Sequence, residues 1–452
     1  MEEASRSLPV YASLPAIALV TIVMFVVLRR TPSNAARFVF VAIWARALLA
    51  ALHEFTFDPS PLGLSWNALG SVAMALFGLL IVRWRRLSDP ALIPFYPLLA
   101  VMIISGVYNG QVAPLATVLT KYAYAIVVLL ATVDAIEDIG PGRFFRALLW
   151  AFALPFLMQL LSIVLGIAKA GEMDGSASYI GGFFHEGGFS MLLASAGMVI
   201  IAVRDRPLLA QLPLIAIVLV AIVLANYRTA ILGILPLVAV ALLIDVPARF
   251  VRSQRGLVLG MMVVVGAVLF SIGAMSGGDR FADLGSAANR GSNIIKRPAE
   301  YTVEEKRILS GRPAIWSGYI YGWIDASPTR KLIGYGMESW SDKFRLYAHN
   351  TLVSSLYEIG VLGIAAMLFL WGWMLALAAR VRGSAKTALL AGHVSFFMLN
   401  MATMPMWMIE GMIFYGVLCG YTIFAYRQQA GTGRVRASGR VPGEVRQRGL
   451  AA

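Results

Sequence analysis

Cysteine and histidine are scarce in this sequence of 452 residues. The single cysteine, Cys419, excludes a disulfide framework and any metal site built from several cysteines. Only four histidines are present, which argues against a zinc cluster as well. The sequence therefore offers no cluster of cysteine or histidine ligands for a metal ion.

Charged residues are also few. They make up 14% of the chain, whereas 59% of the residues are apolar and the mean hydropathy is +0.75. Soluble domains contain roughly 25% charged residues, so the composition excludes a soluble enzyme, a fibrous protein and a disordered chain. A spanning helix needs about 20 mostly apolar residues, and the chain is long enough for about a dozen of them.

Apolar runs of that length predict an all-α polytopic membrane protein with about 12–13 transmembrane helices. Their approximate limits are 8–28, 36–53, 64–82, 91–107, 112–133, 145–168, 187–203, 208–225, 228–247, 254–275, 350–379, 387–403 and 406–426. The first run lacks a small-residue cleavage site, which favours a membrane anchor over a signal peptide.

Lysine and arginine lie in every second short loop. Basic residues follow spans one, three and seven and precede spans six, ten and twelve, whereas the intervening short loops carry almost none. Because cytoplasmic loops are enriched in these residues, the basic side is predicted to be cytoplasmic and the N-terminus external. Topology thus accounts for most of the net charge of +14, and a nucleic-acid partner is not needed.

This pattern divides the chain into four regions. Residues 1–275 hold about ten spans, 276–349 form one large periplasmic loop, 350–426 hold the C-terminal spans and 427–452 form a basic cytoplasmic tail. Loops as long as the second region are usually functional.

Two arginines on the external side need an explanation. Arg228 stands alone between spans eight and nine, against the positive-inside bias. Arg312 precedes Pro313, which suits the first turn of a helix, so Arg312 would lie at a helix N-terminus that attracts anions. Both can grip phosphate oxygens through a bidentate guanidinium. The alternatives are a snorkelling arginine for Arg228 and a solvated one for Arg312.

His349 and Asn350 end the large loop where span eleven begins. Either side chain can cap that helix, and a histidine there can take a proton from a hydroxyl group; an interfacial histidine without a role is the alternative. Upstream, Tyr335 lies between two glycines whose backbone permits close approach to a ligand. Asn350 and Tyr335 are therefore predicted to bind substrate.

Charged residues inside predicted spans are costly unless they serve a cavity. Arg46 and Lys121 are such residues and are predicted to line a buried phosphate or glycan pocket. Pairing with a carboxylate is the alternative. His185, in a glycine-rich external loop, is a further candidate for substrate binding.

The motifs between Asn226 and Gly363 resemble those of the O-antigen ligase superfamily, which includes Wzy-type polysaccharide polymerases. The resemblance rests on His349-Asn350, nine further residues, Gly360 and Gly363, with a Gly311-Arg312 turn upstream. It also rests on the large loop that follows about ten spans. That family usually has twelve spans with both ends inside, whereas this sequence predicts thirteen.

The resemblance implies a GT-C-like, metal-independent and inverting glycosyltransferase in the bacterial inner membrane, with no cofactor. It would take a glycan from an undecaprenyl-diphosphate-linked donor at the periplasmic face. Arg228 and Arg312 would hold the diphosphate, His349 would activate the acceptor hydroxyl and Asn350 would shape the motif helix. The acceptor would be the lipid A-core for a ligase, or a growing O-antigen or exopolysaccharide chain for a polymerase. Membrane lipids would surround the enzyme.

A polysaccharide transporter or flippase is the main alternative from another class. It would place functional charges near the membrane centre, on helices broken in matched pairs. The sequence shows no such pairs, and Arg228, Arg312 and His349 gather at the external side. An enzyme is therefore favoured.

Overall fold

The computed structural model describes residues 7–170, 177–203, 207–276, 294–306 and 311–437. The structure is 78% helical. Before the large loop the α-helices are α1 Val10–Arg30, α2 Asn34–Ala51, α3 His53–Thr56, α4 Trp66–Ile81, α5 Phe95–Tyr108, α6 Val112–Ile139, α7 Pro141–Leu148, α8 Ala153–Val164, α9 Glu186–Ala202, α10 Leu208–Leu224, α11 Arg228–Ala239, α12 Val246–Ala248 and α13 Arg255–Ser276.

The large loop and the C-terminal part contain six more α-helices among the described residues. They are α14 Arg312–Ile324, α15 Pro328–Ile333, α16 Thr351–Glu358, α17 Gly360–Arg380, α18 Ala385–Asn400 and α19 Ile409–Ala437. Short 3₁₀ turns occupy Trp84–Ser88, Pro90–Leu92, Leu149–Phe152, Pro298–Glu300 and Ser339–Asp342, and a π-helical turn Val240–Asp245 joins α11 to α12. Strands β1 Lys169–Ala170 and β2 Ala177–Ser178 form a small antiparallel pair in which Lys169 faces Ser178.

Each predicted apolar segment coincides with a helix or with consecutive helices, which confirms the all-α polytopic fold. Among the described residues, seven helical segments are long and apolar enough to cross a membrane: Val10–Arg30, Asn34–Ala51, Val112–Ile139, Pro141–Val164, Thr229–Ala248, Gly360–Arg380 and Ile409–Gln429. Five shorter apolar helices accompany them. The last helix continues to Ala437, into the region predicted as the tail.

The prediction of one continuous helix over 350–379 is wrong. The helix is interrupted between α16 and α17, where Gly360 adopts a left-handed φ of +66°. A Cβ atom at this position would lie 2.3 Å from the carbonyl oxygen of Leu332. The break therefore lets α15 of the large loop contact the backbone at the start of α17.

The next residues of the large loop, 334–336, extend this contact to the end of α16. Gly334 would place a Cβ atom 2.3 Å from the carbonyl oxygen of Glu358. Beside it, the backbone N–H of Tyr335 donates to the carbonyl of Tyr357 at 3.0 Å, and that of Gly336 donates to Glu358 at 2.9 Å. These bonds attach the large loop firmly to the membrane domain.

Helix α6 lies at the centre of the helical bundle and packs against α2, α4, α5 and α19. Its contact with α19 is close because Gly416 and Gly420 face it. A Cβ atom on Gly416 would lie 2.8 Å from the carbonyl oxygen of Ala125, and one on Gly420 would lie 2.7 Å from that of Leu129. Small residues four apart allow such backbone contact between membrane helices.

Candidate active site

Four helices begin near His349. Side chains at their first residues, or at the residues just before them, bring these helix starts together. His185 precedes α9, and its Nδ1 atom accepts the N–H of Gly187 at 2.8 Å. Its ring lies 6.4 Å from that of Tyr227, the residue before α11. Helices α9 and α11 also pack against each other. The two N-termini are therefore neighbours.

Helix α14 of the large loop brings a third N-terminus to the same place. Arg312 is its first residue and donates from Nη2 to Thr229 Oγ1, in the first turn of α11, at 3.2 Å. Gly311 precedes it in a left-handed conformation with φ of +77°. Arg312 thus lies at a helix N-terminus, as the sequence predicts.

Asn350 directly precedes the fourth helix, α16, which packs against α14. Its Oδ1 atom accepts the N–H groups of Leu352 at 2.9 Å and Val353 at 3.1 Å, which confirms the predicted cap. Its Nδ2 atom donates to the carbonyl of Met401 at 2.9 Å. Asn350 therefore caps α16 and connects it to the backbone at Met401. Its binding of substrate stays a prediction.

His349 lies between these helix starts in an unusual backbone conformation. Its φ of +51° is left-handed, and its ring centroid lies 3.9 Å from that of Tyr347. Non-glycine residues rarely adopt this conformation, and those that do are concentrated at functional sites. Burial, together with the charges of Arg312 and His185, lowers the pKa of His349 to about 4. The imidazole is therefore neutral near pH 7.

Helix α14 holds the segment that leads to His349. Trp316 donates from Nε1 to the carbonyl of Ala348 at 2.8 Å, and the Tyr319 hydroxyl donates to the carbonyl of Leu346 at 2.9 Å. Both bonds come from one helix, so Arg312 and His349 are positioned by the same element.

A cavity of about 260 Å³ lies between the membrane helices and the segment that carries His185. Three residues predicted to bind substrate, Arg46, Lys121 and His185, line it. Because His185 also caps α9, the cavity and the cluster around His349 share a residue. We call this space the membrane cavity.

The two cations of the membrane cavity are both paired. Arg46 contacts Glu410 Oε1 from Nε at 2.8 Å and from Nη2 at 2.7 Å, and it also donates to Asn67. Lys121 Nζ lies 3.1 Å from Glu338 Oε1. The carboxylate pairing given as the alternative is therefore observed, although both cations still line the cavity.

Tyr335 does not line the membrane cavity. Its ring stacks on that of Tyr357 at 4.6 Å, its hydroxyl donates to the carbonyl of Gly322 at 3.2 Å, and the guanidinium of Arg330 lies 4.8 Å from its centroid. The glycines around it serve the docking of α15, so these described contacts do not join Tyr335 to His349 or to the membrane cavity.

Glu358 is a functional candidate that the sequence reasoning missed. It is fully buried, and its carboxylate accepts bonds from the hydroxyl of Ser354, the backbone N–H of Glu338 at 2.9 Å and Trp407 Nε1 at 3.3 Å. Trp407 lines the membrane cavity. A carboxylate within a predicted apolar span is a signal of function, and this one connects the large loop to the cavity wall.

Other predicted features are only partly described. Arg228 is the first residue of α11, and the placement of its side chain lies outside the description. Residues 277–293 and 438–452 of the predicted loop and tail lie outside it as well. Within the described ranges, no three His, Cys, Asp or Glu residues are grouped so that they could hold a metal ion.

Comparison with known proteins agrees with the motif. Residues 213–368 match the family model described as O-antigen ligase. The match covers roughly a third of the 452 residues and contains α11, α14, His349 and Asn350. A search of curated proteins gives no match. The predicted resemblance is thereby confirmed: residues 213–368 of this multi-pass membrane protein are similar to the O-antigen ligase family.

Proposed function

We propose that this chain is an inner-membrane glycosyltransferase of the GT-C type. It transfers a glycan from an undecaprenyl-diphosphate-linked donor to an acceptor hydroxyl at the periplasmic face, with inversion and without a metal. The observation that carries the proposal is the meeting of helix N-termini at Arg312 beside a neutral His349. The match to O-antigen ligases supports the class of substrate.

The diphosphate of the donor would lie at the N-termini of α11 and α14. The bond from Arg312 to Thr229 joins the two helix starts. Free N–H groups at a helix N-terminus and the helix dipole favour an anion there, and arginine adds bidentate bonds to phosphate oxygens. Arg228, in first position on α11, would supply the second guanidinium. Such donors stabilise negative charge as it develops on the leaving group.

His349 would act as the general base. The acceptor oxygen attacks the anomeric carbon of the donor sugar, the bond from that carbon to the diphosphate oxygen breaks, and the acceptor proton passes to Nε2 or Nδ1 of His349. A base must be unprotonated to accept this proton, and the lowered pKa of His349 meets that requirement. Direct displacement of this kind inverts the anomeric configuration.

The membrane cavity would hold sugar units of the substrate. Arg46 and Lys121 are neutralised by their carboxylate partners, so the cavity offers both donors and acceptors to hydroxyl groups. His185 would contact substrate where the cavity meets the helix starts. For Asn350 and Tyr335 we propose a positional role, through the helix and the loop that they hold.

The acceptor decides between the two versions of the reaction. We favour ligation to the lipid A-core because the spacing from His349 to Gly360 and Gly363 is that of the ligase motif. Polymerisation of O-antigen or exopolysaccharide repeat units uses the same chemistry with a different acceptor.

Reconstitution tests the proposal. The purified chain is placed in liposomes with an undecaprenyl-diphosphate-linked glycan and either lipid A-core or further repeat units. We expect release of undecaprenyl diphosphate and a product on one acceptor, with activity retained in EDTA. A lack of turnover with both acceptors would contradict the proposal, and strict dependence on Mg²⁺ would contradict its metal-free form.

A further inference from the structure

A second cavity lies within the large loop, apart from the membrane cavity. It has a volume of about 480 Å³ and is bounded by one face of α14, the segment 343–346 and Arg297. We propose that this space, the loop pocket, binds an acidic sugar unit of the glycan, meaning a sugar ring that carries a carboxylate or a phosphate. The proposal rests on the proposed function and names a substrate feature for it.

Aromatic rings line the loop pocket. Tyr319 and Phe344 stack with centroids 4.1 Å apart, and Phe344 fits against Gly318, where a Cβ atom would lie 3.2 Å from its ring. Tyr321 adds a third ring to the lining, and the guanidinium of Arg297 lies 5.0 Å from the centroid of that ring. Tyr319 is fully buried and supports Phe344, so the half-buried rings of Phe344 and Tyr321 are the ones that offer apolar surface to the C–H face of a sugar. A few polar groups at the edge fix the orientation of such a ligand.

The charges of the loop pocket are unbalanced. Its lining includes the cations Arg297, Lys343 and Arg345 against one carboxylate, Asp325. Arg297 Nη1 lies 3.4 Å from Asp325 Oδ2, but more than half of each side chain is exposed, so this pair is weak. Lys343 and Arg345 are exposed at the rim. The excess of positive charge fits an anionic ligand, and guanidinium groups match carboxylate and phosphate in shape.

The loop pocket is also close to the proposed base. Leu346 lines it, and His349 follows three residues later. Three residues of extended chain reach at most about 11 Å. Helix α14 fixes this segment through Tyr319 and Trp316. A glycan whose reacting group lies at His349 can therefore place a neighbouring sugar unit in the pocket.

Binding of sugar probes to the full chain in detergent tests the proposal. The probes are a glucuronate disaccharide, glucose 6-phosphate and neutral glucose disaccharide, observed by saturation-transfer NMR and titrated for Kd. The variant Lys343→Gln/Arg345→Gln removes two exposed cations of the pocket. Lys331→Gln, in the last turn of α15, is the matched control because Lys331 does not line it.

We expect the wild-type chain and the control to bind at least one acidic probe about tenfold more tightly than the neutral sugar, and the double variant to lose that preference. The two acidic probes distinguish a carboxylate from a phosphate. Equal binding of acidic and neutral probes, or an unchanged double variant, would overturn the proposal. If either result is found in a chain that still transfers glycan normally, only the assignment of the loop pocket fails. If acidic sugars bind as expected but no glycan is transferred, the proposed function fails instead.

Discussion

At the scale of single residues, His349 combines the properties that a general base needs. Its left-handed backbone turns the chain where the large loop meets α16, and its ring lies against Tyr347. Arg312 sits close enough for its charge to disfavour the imidazolium form. The same arginine would hold the leaving group, so the cation that binds the donor also keeps the base unprotonated.

The pKa of His349 leads to a pH dependence. Because the folded chain lowers this pKa to about 4, the neutral base persists well below the ordinary histidine range near 6.5. We expect kcat/KM for glycan transfer to stay level from about pH 8 to pH 5 and to fall about tenfold per pH unit below pH 4, because kcat/KM reports the free enzyme.

Circular dichroism over the same pH range controls for unfolding. Protonation of His349 opposes folding, so stability that is present above pH 6.5 is lost as the pH falls towards 4. An acid limb of kcat/KM centred near pH 6.5, in a chain that stays folded, would contradict the assignment of His349.

At the scale of elements, the junction of α16 and α17 decides where the large loop sits. Gly360 supplies the left-handed turn, and Gly334 supplies the facing contact from the loop. Glu358 then joins Ser354, the Glu338 backbone and Trp407. The junction thus links the loop that carries Arg312 to the wall of the membrane cavity.

Two glycines of α17 are expected to respond in opposite ways to replacement by alanine. Gly360→Ala puts a Cβ atom into a left-handed residue, which costs about 1–2 kcal/mol, and places it against the Leu332 carbonyl. We expect a lower melting temperature in detergent and reduced transfer. Gly372→Ala is the matched control: no atom lies within 4 Å of its Cβ position, and alanine stabilises a helix interior by up to about 1 kcal/mol. Equal melting temperatures for the two variants would contradict the role of Gly360.

At the scale of the whole molecule, the alternation of basic loops predicts which residues face the periplasm. Cys419 is buried, so it does not compete with an introduced thiol at the surface. In spheroplasts, an impermeant maleimide is expected to label Leu62→Cys, in the loop before α4. Arg85→Cys, in the basic segment after α4, should react only after permeabilisation. Labelling of both from the outside would show that the topology is wrong.

The fold was largely predictable from the sequence, because the length of an apolar run directly reflects the thickness of the membrane. Arg312 and Asn350 were predictable at helix starts because proline, glycine and capping residues are local signals. Contacts between residues far apart in the sequence were not predictable. Arg46 and Glu410 are 364 residues apart, and the break at Gly360 depends on contact with Leu332. Such pairs leave no pattern in the sequence near either residue.

Arg228, Arg312 and His349 are proposed to carry out transfer from a lipid diphosphate. The direct measurement is the rate of glycan transfer in liposomes by Arg312→Ala, Arg228→Ala and His349→Ala, with Arg380→Ala as the control. Arg380 is exposed at the other end of α17, about 30 Å along the helix from Gly360.

We expect kcat to fall about 10²–10³-fold for each arginine variant and about 10²–10⁴-fold for the histidine variant, with the control unchanged. Turnover at the wild-type rate in all three variants, at equal protein levels, would contradict the proposed roles of these residues.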